Sequence, residues 1–206
     1  MSKLARFQSA VSTAKPAGMR VIEVYSPKLN RRLQCFGESA FEQWIRLEVD
    51  PTVESYCERP ICLNLTDGEL RVDFWVRQNG REMFLVIDDG YQASAPRVGD
   101  VGLEVRIIAP AELAATRMWV SNWQRMLPVI TSCRGSISSP IQHSIMRFVT
   151  GPTQLSRIEQ EFVTGDPTPV RAALFHLLHA GKLQAPQLHA EELSFLTTIC
   201  PAEVSP

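Results

Sequence analysis

Three acids spaced along the first half of the chain are of a type that could hold a divalent cation. Glu42 follows Ser39-Ala40-Phe41, Asp73 lies in Val72-Asp73-Phe74-Trp75-Val76, and Asp88 closes the run Phe84-Leu85-Val86-Ile87. Hydrolysing a phosphodiester at neutral pH needs an activated water and relief of the phosphate charge. One or two Mg2+ or Mn2+ ions held by carboxylates do both, and an all-oxygen donor set suits them better than zinc. A glutamate on a helix, an aspartate on a neighbouring strand and a second acid on the next strand would converge on one ion. A lysine two residues past the second acid would orient water or phosphate. Here that lysine is missing. If Asp88 is the second acid, the lysine position falls on Gly90; if Val86 stands in the acid position, Asp88 takes the lysine's place. The same acids also read as a helix cap, a strand residue with a local partner, and a turn at Asp88-Asp89-Gly90.

Positioning these acids requires a helix followed by strands. Residues 39–49 read as a helix with Phe41, Trp44, Ile45 and Leu47 mostly on one face, a Ser39-x-x-Glu42 capping box, and a stop at Asp50-Pro51. Val21–Tyr25, Val53–Tyr56 and Ile61–Leu65 read as extended, with a turn at Thr66-Asp67-Gly68. Leu70–Arg77 alternates as one strand, Gln78-Asn79-Gly80 is the next turn, Met83–Ile87 is a continuous apolar strand, and Val101–Ile108 alternates again. Beyond Pro110 the pattern predicts a helix over 111–126, a Ser/Gly/Pro-rich hinge over 127–140 and short helices over 141–149 and 153–162. An amphipathic helix over 167–180 carries Val170, Ala173, Leu174, Leu177 and Leu178 and ends at Gly181. Two short strands follow, over 182–185 and 194–199. Helix, turn, helix and hairpin form the layout of a winged helix-turn-helix. The expected class is α/β: a mixed sheet with flanking helices, then an α-helical winged helix-turn-helix domain. The expected division is a basic flexible arm (1–20), a nuclease-like domain (21–109), a connecting helix and hinge (110–140) and a winged helix (141–206).

The net charge of -1 conceals an uneven layout. Residues 1–32 carry seven Lys/Arg against Glu23, residues 33–109 seven Arg against fourteen acids, and residues 110–206 seven of each. A basic arm beside an acidic domain suits a protein that touches phosphate while holding cations, though it reads equally as a solvated tail. Arg31, Arg32, Arg171 and Lys182 are the candidate DNA contacts; a protein-binding winged helix without groove contact is the alternative. His176 and His179 are three apart on the second helix of that module, without carboxylates patterned to complete a metal site. Trp44, Trp75, Trp119 and Trp123 read as core or interface aromatics. The five cysteines lack paired C-x-x-C spacing, so reduced thiols in a cytoplasmic protein are expected, not zinc. No apolar run nears the roughly 20 residues that span a bilayer, and no secretory h-region opens the chain. Walker, G-x-G-x-x-G and G-x-S-x-G motifs are absent, so no nucleotide cofactor or serine triad is indicated.

Taken in order, these segments resemble the TnsA family, the endonuclease subunit of heteromeric transposases. Ser39-x-x-Glu42 is followed by Asp50-Pro51-x-Val53, and Tyr56-Cys57-Glu58-Arg59-Pro60 is similar to the family's Y-x-E-Q-P strand. Val72-Asp73-Phe74 stands where the family has Pro-Asp-Phe, and Gly80-Arg81 leads into the apolar strand. Residues 108–126 resemble the connecting helix, and Leu174-x-x-Leu177-Leu178-x-x-Gly181-x-Leu183 the C-terminal module. The resemblance spans roughly residues 20–200. It implies a restriction-endonuclease-like PD-(D/E)XK domain plus winged helix, Glu42, Asp73 and Asp88 as catalytic metal ligands for Mg2+ or Mn2+, and cleavage of DNA at transposon ends. It also implies a transposase catalytic subunit and an ATPase regulator as partners. The missing lysine, for which Arg59, Arg77 or Arg81 could stand in, leaves a catalytically inactive subunit bridging DNA and transposase as an alternative. A winged-helix transcription regulator is a further one.

Overall fold

The computed structural model describes residues 7, 9–11, 15, 18–65, 68–88 and 102–202. The chain is mixed α/β and divides into two units: Met1–Glu48 with Thr52–Ala115, and Val49–Pro51 with Thr116–Pro206. Among the described residues no helix is long and apolar enough to cross a membrane.

The first unit begins with an antiparallel hairpin, β1 (Val21–Ser26) and β2 (Arg31–Phe36). Leu33 and Cys35 alternate inward on β2. Helix α1 (Glu38–Val49) starts after Gly37, whose φ of +85° few other residues adopt. Ser39 therefore lies inside the helix, and the expected capping box does not form. Four strands make the main sheet in the order β3 (Val53–Glu58), β6 (Phe74–Gln78), β7 (Arg81–Ile87), β8 (Glu104–Ile108). The first three are antiparallel neighbours, and β8 runs parallel to β7. The turn between β6 and β7 is Asn79-Gly80, both with positive φ, the pair favoured in a two-residue hairpin.

The predicted single strand over 70–77 is broken. A small hairpin, β4 (Cys62–Leu65) with β5 (Gly68–Arg71), ends before Val72-Asp73, and β6 begins after them. One sheet face buries Cys57, Trp75, Phe84 and Val86 together with Leu63 and Val72. Phe7, from the basic N-terminal segment, packs there against Trp75 and Phe84 at centroid distances of 5.7 and 5.5 Å. Tyr56, on the next position of β3, lies toward α1, where the indole of Trp44 donates to it at 2.8 Å. After β8 comes α2 (Pro110–Ala115), whose Glu112 pairs with Arg46 of α1 at 2.7 Å and Arg106 of β8 at 2.8 Å.

In the second unit, α3 (Arg117–Ser132) runs on through residues 127–132, the first six positions of the segment expected to be a hinge. Pro128 does not end it, because Trp123, Met126, Leu127 and Ile130 continue the buried face. Then come α4 (Ser139–Phe148), β9 (Thr153–Gln154), α5 (Leu155–Phe162), α6 (Thr168–His179), β10 (Leu183–Gln184), a 3-10 turn (Pro186–His189) and β11 (Thr198–Pro201). The strands pair in the order β10-β11-β9. Asn122 of α3 is buried, donates to the carbonyls of Leu188 and Glu191 and accepts from the Leu193 amide, each at 2.8 Å.

Candidate functional site

Asp73 occupies the corner between β5 and β6 and is fastened to the strand beyond. Its amide donates to the carbonyl of Leu85 at 3.0 Å, and its Oδ2 accepts from the amide of Ile87 at 2.7 Å. The aspartate thus brackets Val86, a core residue only 2% exposed. Val86 and, two residues on, Asp88 are the two positions the sequence offered for the second acid. Asp88 is half-buried at the end of β7, and its amide donates to Ile108 of β8 at 2.9 Å. Glu42 is half-buried on the second turn of α1.

A cleft of about 10 Å³ beside Asp73 is lined by Gln34, Cys35, Glu58, Arg59 and Arg71, with Ala40 of α1 at its edge. One pair beyond Glu58 and Phe74 in the same register, the carbonyl of Asp73 accepts from the Arg59 amide at 2.7 Å, and Arg59 adopts φ +42°. Its guanidinium lies 4.0 Å over the Phe36 ring and donates through Nη1 to the Gln34 carbonyl. Desolvation lowers its pKa, and the charge of Arg71 adds to that effect against the opposing pull of Glu58. The carboxylate of Glu58, buried within the sheet, is held by Arg31 through paired bonds of 2.9 and 2.5 Å. That pairing raises the pKa of Arg31. It also takes up the fork of Arg31 proposed for DNA, whereas Arg32 is exposed.

Carboxylate donors of this kind suit Mg2+ or Mn2+. Among the described residues, however, no three of His, Cys, Asp and Glu are grouped so as to hold a metal. The described protein groups therefore do not close a three-acid site. The only lysines of the chain are Lys3, Lys15, Lys28 and Lys182, and the amine of Lys28 donates to the Leu47 carbonyl at 2.8 Å.

In the second unit, every position of α6 from Ala172 to His179 except His176 is buried. Sequence pattern suggested one apolar face; packing against α3, with Trp123 and His179 edge to face at 6.2 Å, covers a second. Arg171 pairs with Glu159 of α5 at 2.5 Å and lies 5.5 Å over the Phe195 ring. Lys182 is exposed. His176 and His179 have ring centroids 6.5 Å apart, and burial lowers the pKa of His176.

No protein-family model matches the chain, and no curated protein matches it.

Proposed function

We propose that this chain is the TnsA-like endonuclease subunit of a heteromeric transposase, acting on DNA at transposon ends. The observation that carries the reading is Asp73 fastened across Val86, with Glu42 on the helix that precedes the sheet. The run of one helix, three antiparallel strands and a parallel fourth supports a restriction-endonuclease-like domain. The order β9, α5, α6, β10, β11 supports a winged-helix module after it.

Mg2+ ordinarily keeps several waters and takes one or two carboxylates together with substrate phosphates. Glu42 and Asp73 are then the protein donors, Asp88 the adjoining acid, and a DNA phosphate completes the set. When bound, the ion would lower the pKa of a water and neutralise phosphate charge. The chain's own contribution is positional: the Ile87 amide fixes the rotamer of Asp73, and α1 carries Glu42. The transposase catalytic subunit and an ATPase regulator are the partners of this reading. The covered α6 favours protein partners for the winged helix.

A second reading is favoured by Val86 in the acid position and Asp88 in the lysine position: a subunit that bridges DNA and transposase without cutting. Excision assays in cells supplied with the partner subunits separate the two. Loss of excision in both Glu42→Ala and Asp73→Asn, with protein levels unchanged, supports cutting. Excision that survives both substitutions but needs the chain supports bridging, and excision indifferent to deleting the chain defeats both.

A further inference from the structure

The cleft beside Asp73 is lined by two arginines, Arg59 and Arg71. Glu58, its other carboxylate, is already paired with Arg31. Arg59 is oriented by three restraints: its amide on the Asp73 carbonyl, its guanidinium over Phe36, and its Nη1 on Gln34. Its backbone is left-handed, a conformation unfavourable to a non-glycine residue. The buried Nε–H of Arg59 nevertheless has no acceptor among the described residues, and Arg71 makes no ion pair among them. With Glu58 neutralised by Arg31, these two cations, one carrying an unmet donor, outnumber the remaining carboxylate of the lining, Asp73. The mutual effect of the two charges on the pKa of Arg59 agrees with their closeness.

We propose that Arg59 and Arg71 form an oxyanion site for a phosphate group, which on the reading above is a backbone phosphate of the bound DNA. A guanidinium fork matches phosphate oxygens in geometry and charge. The cleft, at about 10 Å³, admits one atom the size of a water oxygen, so it takes a single phosphate oxygen and leaves the sugar and base outside. That excludes a free nucleotide buried here. It places the arginines as positioning residues on the side of Asp73 where the lysine is lacking.

The test uses the full chain, with Arg59→Gln, Arg71→Gln and, in the second unit, Arg134→Gln as control, each checked for folding by near-UV circular dichroism. Arg71→Gln removes no ion pair among the described residues, so it keeps the test open if Arg59→Gln unfolds. Binding of a fluorescent DNA duplex is followed by anisotropy across salt concentrations. Both cleft variants are expected to weaken binding about threefold to tenfold and to lower the salt slope by about 1, with the control unchanged. In parallel, inorganic phosphate should raise the melting temperature of wild type but not of the variants. A phosphate response with no duplex binding by wild type keeps the site, assigns it to free phosphate and removes the transposon-end reading. Variants that match wild type in both duplex affinity and phosphate response overturn the proposal.

Discussion

The phenol of Tyr56 on β3 donates to Oε2 of Glu48 on α1 at 2.5 Å, and both side chains are buried. Ser26 of β1 donates to the same oxygen at 2.6 Å, and the amide of Lys28 to Oε1 at 2.8 Å. The carboxylate is therefore satisfied from two further points, and the hairpin, the helix and the sheet meet at one acid. Because α1 also carries Glu42, this network sets the helix against the strands that carry Asp73.

Replacing Tyr56 with Phe removes one donor from Glu48 and leaves the Trp44 indole N–H without its acceptor. The expected loss is about 1–3 kcal/mol, read as a lower urea midpoint with an unchanged slope. Burial, then the charge of Glu48, pushes the Tyr56 phenol well above its ordinary value of 10.0. The folded pKa is thus the higher one, so the neutral phenol's contribution is full below about pH 10 and is lost as pH rises toward the folded value. Urea midpoints should fall in alkali, and less steeply in Tyr56→Phe. An identical alkaline fall in both proteins would place the cause elsewhere.

Burial pushes the thiols of Cys35 and Cys57 to about 12 and about 11. Both stay protonated and unreactive at neutral pH, and the stability they contribute is full below their ordinary value of 9.0 and is lost as pH rises from there toward those values. Ellman's reagent should titrate Cys62, Cys133 and Cys200 in the native protein, and Cys35 and Cys57 only on unfolding. Fast labelling of Cys57 in the native state would contradict the packing of the sheet.

Arg31 and Glu58 form a pair in which Glu58 is deeply buried, its side chain 6% exposed. Arg31→Met should cost about 3 kcal/mol or more by stranding the carboxylate, and adding Glu58→Met should recover much of it. A single variant as stable as wild type would mean that water reaches Glu58.

Gly181 closes α6 at φ +67°, and a Cβ there would stand 2.7 Å from Cβ of Pro51. Gly181→Ala should destabilise by about 2 kcal/mol or more, from the left-handed backbone and the clash together. In a Pro51→Gly background only the backbone share should remain, which a double-mutant cycle reads directly.

Elements defined by local pattern were legible in the sequence. The helix ending at Asp50-Pro51, the apolar strand at Met83–Ile87, the Asn-Gly turn and the helix closed by Gly181 all rest on neighbours within a few residues. What escaped depends on distant partners. Arg31–Phe36 looks too charged for a strand, and only its pairing with Val21–Ser26 and the alternation of Leu33 and Cys35 mark it. Pro128 and the serines after it suggested a hinge, but burial of Leu127 and Ile130 keeps the helix going. The break at Val72-Asp73 is invisible to alternation because the Leu85 carbonyl and Ile87 amide, which anchor the aspartate, lie on another strand. Arg59 could be named as a stand-in cation, yet its stacking on Phe36 could not be read, since Phe36 ends β2 and Arg59 follows β3, more than twenty residues on.

The parallel pairing of β8 with β7 has a consequence for the chain as it is made. A parallel neighbour cannot be joined by a tight turn, so β8 can dock only after the residues between Asp88 and Glu104 have been synthesised. Until then the edge of β7 presents the uncharged, β-prone run Met83–Ile87 with open amides and carbonyls. Such an open edge is a template on which a second nascent chain can pair. The strand that completes the sheet is therefore also its seal against aggregation, and a chain truncated before Glu104 would lack that seal.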